Sequence, residues 1–325
     1  MKQSSKLKIE LSTAIVSLVI ASIVLISTTY AWYVANNRVS GTTTTISATT
    51  NGFVLQISTL ERGAQHGGAQ ESLEAFSEGA VLSPASSDDM TNWYVCAGWD
   101  SAGRVTSYVT PSFASGENAK PGKYVVAGND YYAFIRSDFV LYTIYQTGVA
   151  DVYLDASEGA PITVTATSGD GVAAVTDSMR VAITTQALDD HGQPTGAETL
   201  RIVYAPENET GIGNDHDGIN GWTAIKNVSG TLTPQTVTYP YIYGEHYTDQ
   251  LQTGRNWVAT LSANGKDYIV PDGSEAIAEA VGYDGILVHV YIWMEGTDAD
   301  CVNGRSVEED DSVYSVTVKF AGVAP

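Results

Sequence analysis

Two stretches of the chain alternate with a period of two, and that period is what most narrows the fold. In Ser312–Phe320, the side chains of Tyr314, Val316, Val318 and Phe320 alternate with Ser315, Thr317 and Lys319. Only an extended strand sends every second residue to the same face. In Phe139–Gln146, Phe139, Leu141, Thr143 and Tyr145 share one face, and Val140, Tyr142 and Ile144 share the other. Both sets are largely apolar, which predicts a central strand covered on both sides. With 19 Tyr and 31 Gly against 16 Lys plus Arg, composition also favours strands and turns over helices.

Further strand signals run through Tyr94–Cys96, Val105–Val109, Lys123–Ala127, Tyr131–Arg136, Val152–Leu154, Ile162–Ala166, Met179–Ile183, Leu200–Tyr204 and the almost continuously apolar Ile286–Met294. Asn51-Gly52, between a threonine tract and the alternating Phe53, Leu55 and Ile57, predicts a hairpin, and Asn264-Gly265 predicts another. Gly128-Asn129-Asp130 and Asp189-Asp190-His191-Gly192 read as turns. Short helices are expected around Glu71–Glu78 and Ser274–Ala280. The total is roughly twelve short strands without βαβ rhythm, so the expectation is an all-β, antiparallel β-sandwich, jelly-roll-like. Irregular insertions fall near residues 59–92 and 205–236.

An N-terminal hydrophobic helix precedes this domain. Leu11–Asn37 carries no charged side chain and follows Lys2, Lys6, Lys8 and Glu10. A basic start, an apolar middle and small residues at the end make an export signal. Thr29 and Ala31 stand where a signal peptidase needs small side chains, placing the cut before Trp32. The competing reading is a retained membrane helix, because Leu11–Val34 is long enough to span a bilayer. Seven Ser and Thr side chains in the stretch weaken it as an anchor. Either way the rest of the chain is expected to work outside the cytoplasm. The order is then 1–31 signal or membrane helix, 32–46 an extended Thr-rich linker or donor strand, and 47–325 the β-domain.

The formal charge is −21; losing three lysines and one glutamate with residues 1–31 makes it −23. Such acidity offers nothing to nucleic acid or an anionic membrane, and solubility outside the cell accounts for it. Contact with a membrane is expected only through the N-terminal segment.

Enzyme chemistry finds no support. His66, His191, His216, His246 and His289 are scattered, without a His-Glu-x-x-His pair, a Gly-x-Ser-x-Gly elbow or a phosphate-cradling loop. No cofactor is expected, with calcium left open. Asn214-Asp215-His216-Asp217-Gly218 gathers oxygen ligands before a glycine, but Gly213 and Ala224 stand where an EF-hand needs acids. Asp298 with Asp300, and Glu308–Asp311, are further acidic clusters that solvated turns explain equally. Cys96 and Cys301 could pair outside the cell or remain two buried thiols. If the N-terminal segment is removed, retention at a surface depends on partners, since no sortase motif or lipobox cysteine is seen.

The junction Ser27-Thr28-Thr29-Tyr30-Ala31-Trp32-Tyr33, the polar tract after it and the Asn51-Gly52 pair resemble the TasA/camelysin group of exported biofilm-fibre proteins of Gram-positive bacteria. Val290–Cys301 also resembles a segment of uncharacterised clostridial surface proteins. The resemblance covers about the first 58 residues and this C-terminal stretch. It implies a signal followed by a jelly-roll domain and a role in fibres. Camelysins are classed as metalloproteases, and the missing zinc motif argues against carrying that activity over.

The leading expectation is a secreted structural protein that self-associates, with other surface or matrix proteins as further partners. Trp32–Ile46, rich in threonine and free of proline, suits strand addition to a neighbouring subunit. A spacer between membrane helix and domain is the plain reading of the same tract. The alternative function is a tethered adhesin or glycan-binding module, with Tyr239, Tyr241, Tyr243 and Tyr247 as the aromatic cluster.

Overall fold

A computed structural model describes residues 39–50, 55–58, 72–78, 82–116, 119–144, 148–166, 176–206, 223–244, 247, 257–265, 267–298, 300–301 and 312–325. The protein is all-β over these residues, with several antiparallel sheets. The N-terminal helix expected for 1–31 lies outside them. No helix of the described residues is long and apolar enough to cross a membrane.

In chain order the strands begin with β1 (Val39–Thr50), β2 (Leu55–Ser58), β3 (Ser72–Glu78), β4 (Ala85–Ser86), β5 (Tyr94–Trp99), β6 (Val105–Val109) and β7 (Lys123–Val126). Then come β8 (Asn129–Tyr132), β9 (Ile135–Thr143), β10 (Ala150–Asp155), β11 (Ile162–Ala166), β12 (Met179–Leu188), β13 (Pro194–Ala205) and β14 (Thr223–Val228). The last are β15 (Thr231–Thr236), β16 (Tyr241–Tyr243), β17 (Val258–Leu261), β18 (Tyr268–Ile269), β19 (Ala278–Val281), β20 (Ile286–Met294) and β21 (Ser312–Val323).

One sheet runs β18-β17-β10-β21-β1-β3, with β11 also on β21 and β19 also on β10. The other runs β16-β13-β12-β20-β9-β2. Smaller sheets are β4-β5-β6 and the hairpins β7-β8 and β14-β15. Most pairs are antiparallel, but β1–β21, β10–β17 and β13–β16 are parallel. The absence of βαβ rhythm therefore did not exclude parallel pairing. Strands far apart in sequence can lie side by side in either sense, because the crossover is a long stretch of chain rather than a tight turn.

The period-two readings translate directly into packing. From β9, Phe139 and Leu141 enter one core, while Val140 and Tyr142 are buried on the opposite face beside Leu287. From β20, Val288, Val290, Ile292 and Met294 enter the first core. Tyr291 and Trp293 enter a second one on the reverse face with Trp93, Tyr124, Phe134 and Tyr239. Tyr314, Val316, Val318 and Phe320 of β21 join Val152, Leu154 and Ile162 in the first core. That core draws on both large sheets and is the main source of hydrophobic stabilisation, about 1.5–3 kcal/mol for each fully buried large side chain.

Several local expectations need correction. Residues 72–78 form β3, and 278–281 form β19, where helices were expected. In both, pairing with a neighbouring strand, β1 for β3 and β10 for β19, overrides weak helix preference. The strands either side of Asn51-Gly52 do not make a hairpin, since β1 pairs with β21 and β3 while β2 pairs with β9 in the other sheet. The Asn264-Gly265 hairpin is present as β17–β18, with Gly265 at φ +66°. The β7–β8 turn sits at Ala127-Gly128, both at positive φ, one residue earlier than read from sequence. The described parts of both insertions hold strands: β3 and β4 in the first, and the β14–β15 hairpin in the second.

Candidate functional site

The Thr-rich tract becomes a strand inside its own domain. Threonine at 42–45 is β-branched and favours extended backbone. β1 runs across the expected boundary at Ile46/Ser47 and lies between β21 and β3. Thr42 faces Tyr314, Thr44 faces Val316 and Ile46 faces Val318 along the parallel side. On the antiparallel side Thr42 faces Ser77 and Thr44 faces Ala75. Residues 41–47 are thus paired on both sides, so the backbone groups of this segment are satisfied by the sheet. The acceptor, β21, presents Tyr314, Val316, Val318 and Phe320 to the core and Ser315, Thr317 and Lys319 half-buried on the other face.

A second arrangement lies on the reverse face of the β20 sheet. His289 of β20 is 3% exposed. Its Nδ1 is 2.7 Å from Asp138 Oδ1, and its Nε2 is 3.4 Å from Gln186 Oε1 and 3.9 Å from Glu198 Oε2. Gln186 Nε2 donates to the Gly196 carbonyl at 2.9 Å, which fixes which way that amide points. Arg136 Nη2 donates to Asp138 Oδ2 at 3.1 Å, and Thr184 donates to Glu198. Burial opposes the charge on Asp138, but the His289 hydrogen bond and the Arg136 charge outweigh it and hold this carboxyl below its usual range. Burial pushes the Tyr291 phenol well up, aided by Glu198. Each polar group has a partner from a neighbouring strand, so the arrangement ties β9, β20, β12 and β13 together. None of it resembles a nucleophile with an attendant base.

A third set is fully interior. Arg180 Nη2 is 2.5 Å from Asp298 Oδ2, both nearly inaccessible. Glu295, 1% exposed, accepts from Trp293 Nε1 at 2.9 Å and from Thr297 Oγ1 at 2.9 Å. Burial raises the Glu295 carboxyl, partly countered by Arg180.

No family model matches this chain, and no curated protein or solved structure matches it either. Thr29, Ala31 and Trp32 lie outside the described residues, as do residues 213–218 and 308–311 of the calcium reading. Asp298 is taken by Arg180, and Asp300 N donates to Asp298 Oδ1 at 2.8 Å, so this pair builds a turn. Among the described residues no group of three or more His, Cys, Asp or Glu side chains is placed to hold a metal ion. Tyr239, Tyr241 and Tyr243 are buried, and Tyr247 packs against the main core, so they offer no aromatic platform. Cys96, half-buried, and Cys301, buried, both carry reduced thiols in this structure.

One cleft of about 330 Å³ opens between the 88–94 loop and β14, lined by Asp88, Asp89, Asn92, Tyr94, Lys226 and Asn227. Lys226 Nζ is 2.8 Å from Asp88 Oδ2, and Thr238 donates to the same carboxylate from its backbone and hydroxyl. The sequence reading missed this cleft and the partners of His289. Arg136 and Asp138 did carry a signal, since they are charged residues two apart between the apolar runs 131–135 and 139–142.

Proposed function

We propose that the protein is a secreted structural subunit of an extracellular fibre or biofilm matrix, assembled by strand addition. Its body is read as a jelly-roll-like β-sandwich behind an N-terminal signal or membrane helix, located outside the cell or at its surface. The observation that carries this reading is the place of β1, seated between β21 and β3. The bond partners of β1 are backbone groups of the last strand and of β3, and the same groups on another copy would accept it equally. Strand addition of this kind takes its affinity from main-chain hydrogen bonds. Removing β1 from its own slot leaves two edges open, which favours pairing with a second copy over solvent exposure. No catalytic role is assigned to any residue, and self-association is the partner relation proposed.

The alternative is a tethered adhesin or glycan-binding module. It draws on the polar cleft at Asp88, Asn92, Lys226 and Asn227 and loses the tyrosine cluster, which is buried.

Light scattering and negative-stain microscopy of the chain from Trp32 onward test the fibre reading. Repulsion between subunits of charge −23 should be screened by salt, with a Debye length of about 10 Å at 0.1 M. Filaments should grow more readily as salt is added, and an excess of a synthetic 39–50 peptide should cap them. A chain that stays monomeric at every salt and pH overturns the reading.

A further inference from the structure

Cys96 and Cys301 are the chain's two cysteines, and the fold brings their surroundings together from distant parts of the sequence. Cys96 sits in β5, between β4 and β6, and its N–H donates to the Pro84 carbonyl at 2.9 Å. Both strands beside it touch the turn that follows β20. On the β4 side, Ala85 bridges Glu295, and the Gly296 N–H donates to the Ala85 carbonyl at 2.9 Å. On the β6 side, Tyr108 is the register partner of Cys96. Its hydroxyl lies so close to Gly296 that an added Cβ there would be 2.8 Å away. From Gly296 the chain makes two successive tight turns. Asp298 N–H donates to the Glu295 carbonyl at 3.2 Å, and Cys301 N–H to the Asp298 carbonyl at 3.1 Å. These turns hold Cys301 close to the end of the strand it has just left, beside the point where β4 and β6 approach Gly296.

We propose that Cys96 and Cys301 form a disulfide that fastens the β4-β5-β6 sheet to the turn leaving β20, and that the bond is set while the chain folds. In the step, two S–H bonds break and one S–S bond forms. Two protons and two electrons leave, and a disulfide oxidant (oxidised glutathione in vitro, a dithiol oxidase outside the cytoplasm) is reduced to two thiols. Attack requires a thiolate and access to the sulfur. The folded chain suppresses the thiolate at both positions and closes off Cys301. Burial pushes the Cys96 thiol up to about 12, only partly offset by a hydrogen bond with the Gly98 backbone. Cys301 is pushed up by burial and then by the neighbouring Asp298, Cys96 and Glu295 charges. Against an ordinary cysteine near 8.5, Cys96 loses about three orders of magnitude in thiolate at neutral pH. The unfolded or partly folded chain has no such barrier, so oxidation belongs to that stage. Once made, the bond is shielded from reductant by the same burial.

The test uses the full-length chain, kept in detergent for its apolar N-terminal segment, unfolded with reductant and refolded in mixed reduced and oxidised glutathione. Intact mass should fall by about 2 Da, two hydrogens, relative to chain refolded in reductant. A non-reducing peptide map should yield the Cys96 peptide joined to the Cys301 peptide. The oxidised form should unfold at higher denaturant than the reduced form, since a long loop is closed. Folded reduced chain given oxidised glutathione should stay reduced over a period in which unfolded chain is fully converted. Cys96→Ser, at the less buried position, should refold and show no linked peptide. Refolded chain with both thiols free, or with glutathione on each, overturns the bond. Oxidation of the folded chain as fast as the unfolded one overturns its timing.

Discussion

At the scale of single residues, Asp138 shows how much a polar group on a sheet face depends on its neighbours across the strands. Its carboxylate meets His289 Nδ1 at 2.7 Å and the Arg136 guanidinium on its own strand. Burial alone would raise its pKa, yet these partners lower it. A carboxyl lowered in the folded state contributes stability that is fully present above its unfolded value, about 3.9. That contribution is lost as pH falls through the lower, folded value. Urea midpoints of the wild type should therefore drop between pH 5 and pH 2 by more than those of Asp138→Asn. Equal acid sensitivity of the two proteins would show that Asp138 contributes nothing. The sequence placed His289 correctly in a strand, because Ile286–Met294 is too continuous to be anything else. It could not name Asp138, Gln186 or Glu198 as partners, since each lies on a different strand and register is not written in any one of them.

At the scale of elements, the turn after β20 carries the heaviest polar load. Arg180 of β12 and Asp298 of that turn pair at 2.5 Å with almost no solvent contact. Burial disfavours the Arg180 charge, and the Asp298 and Glu295 carboxylates more than compensate. Removing one partner leaves a buried charge uncompensated, at a cost of about 3–5 kcal/mol. Asp298→Ala should lower the chemical-denaturation free energy by that amount, while a surface change such as Asp190→Ala should move it by less than about 0.5 kcal/mol. A loss under about 1 kcal/mol for Asp298→Ala would mean the pair is not the buried bridge described. Elements differed in how plainly the sequence announced them. β9, β20 and β21 were legible because β21 alternates strictly between apolar and polar residues, while β9 and β20 carry apolar residues on both faces. β3 and β19 were not, because Ser72–Glu78 and Ala278–Val281 are short, rich in Ala and Glu, and become strands only through the neighbours they pair with. The four-residue separation of β1 from β2 looked like a hairpin for want of any local sign that the chain changes sheets there.

At the scale of the whole molecule, the defining arrangement is the parallel pairing of β1 with β21, near the two ends of the chain. All-β character could be read from alternation and from Thr, Val and Tyr usage. This pairing could not, because it joins segments that share no turn and no charge pattern. It is also what allows one copy's β1 to serve another. Thr45 and Thr317 are register partners, and Thr317 is half-buried on the face away from the core. The most direct measurement mixes two chains, one carrying Thr45→Cys and the other Thr317→Cys. They are assembled at raised salt and treated with a short thiol cross-linker, and peptide mapping separates any link through the native cysteines. Exchange of β1 between copies predicts a cross-linked pair containing one chain of each kind, located by peptide mapping to positions 45 and 317. Chains that assemble without that cross-link, or a mixture that stays monomeric, would contradict the account.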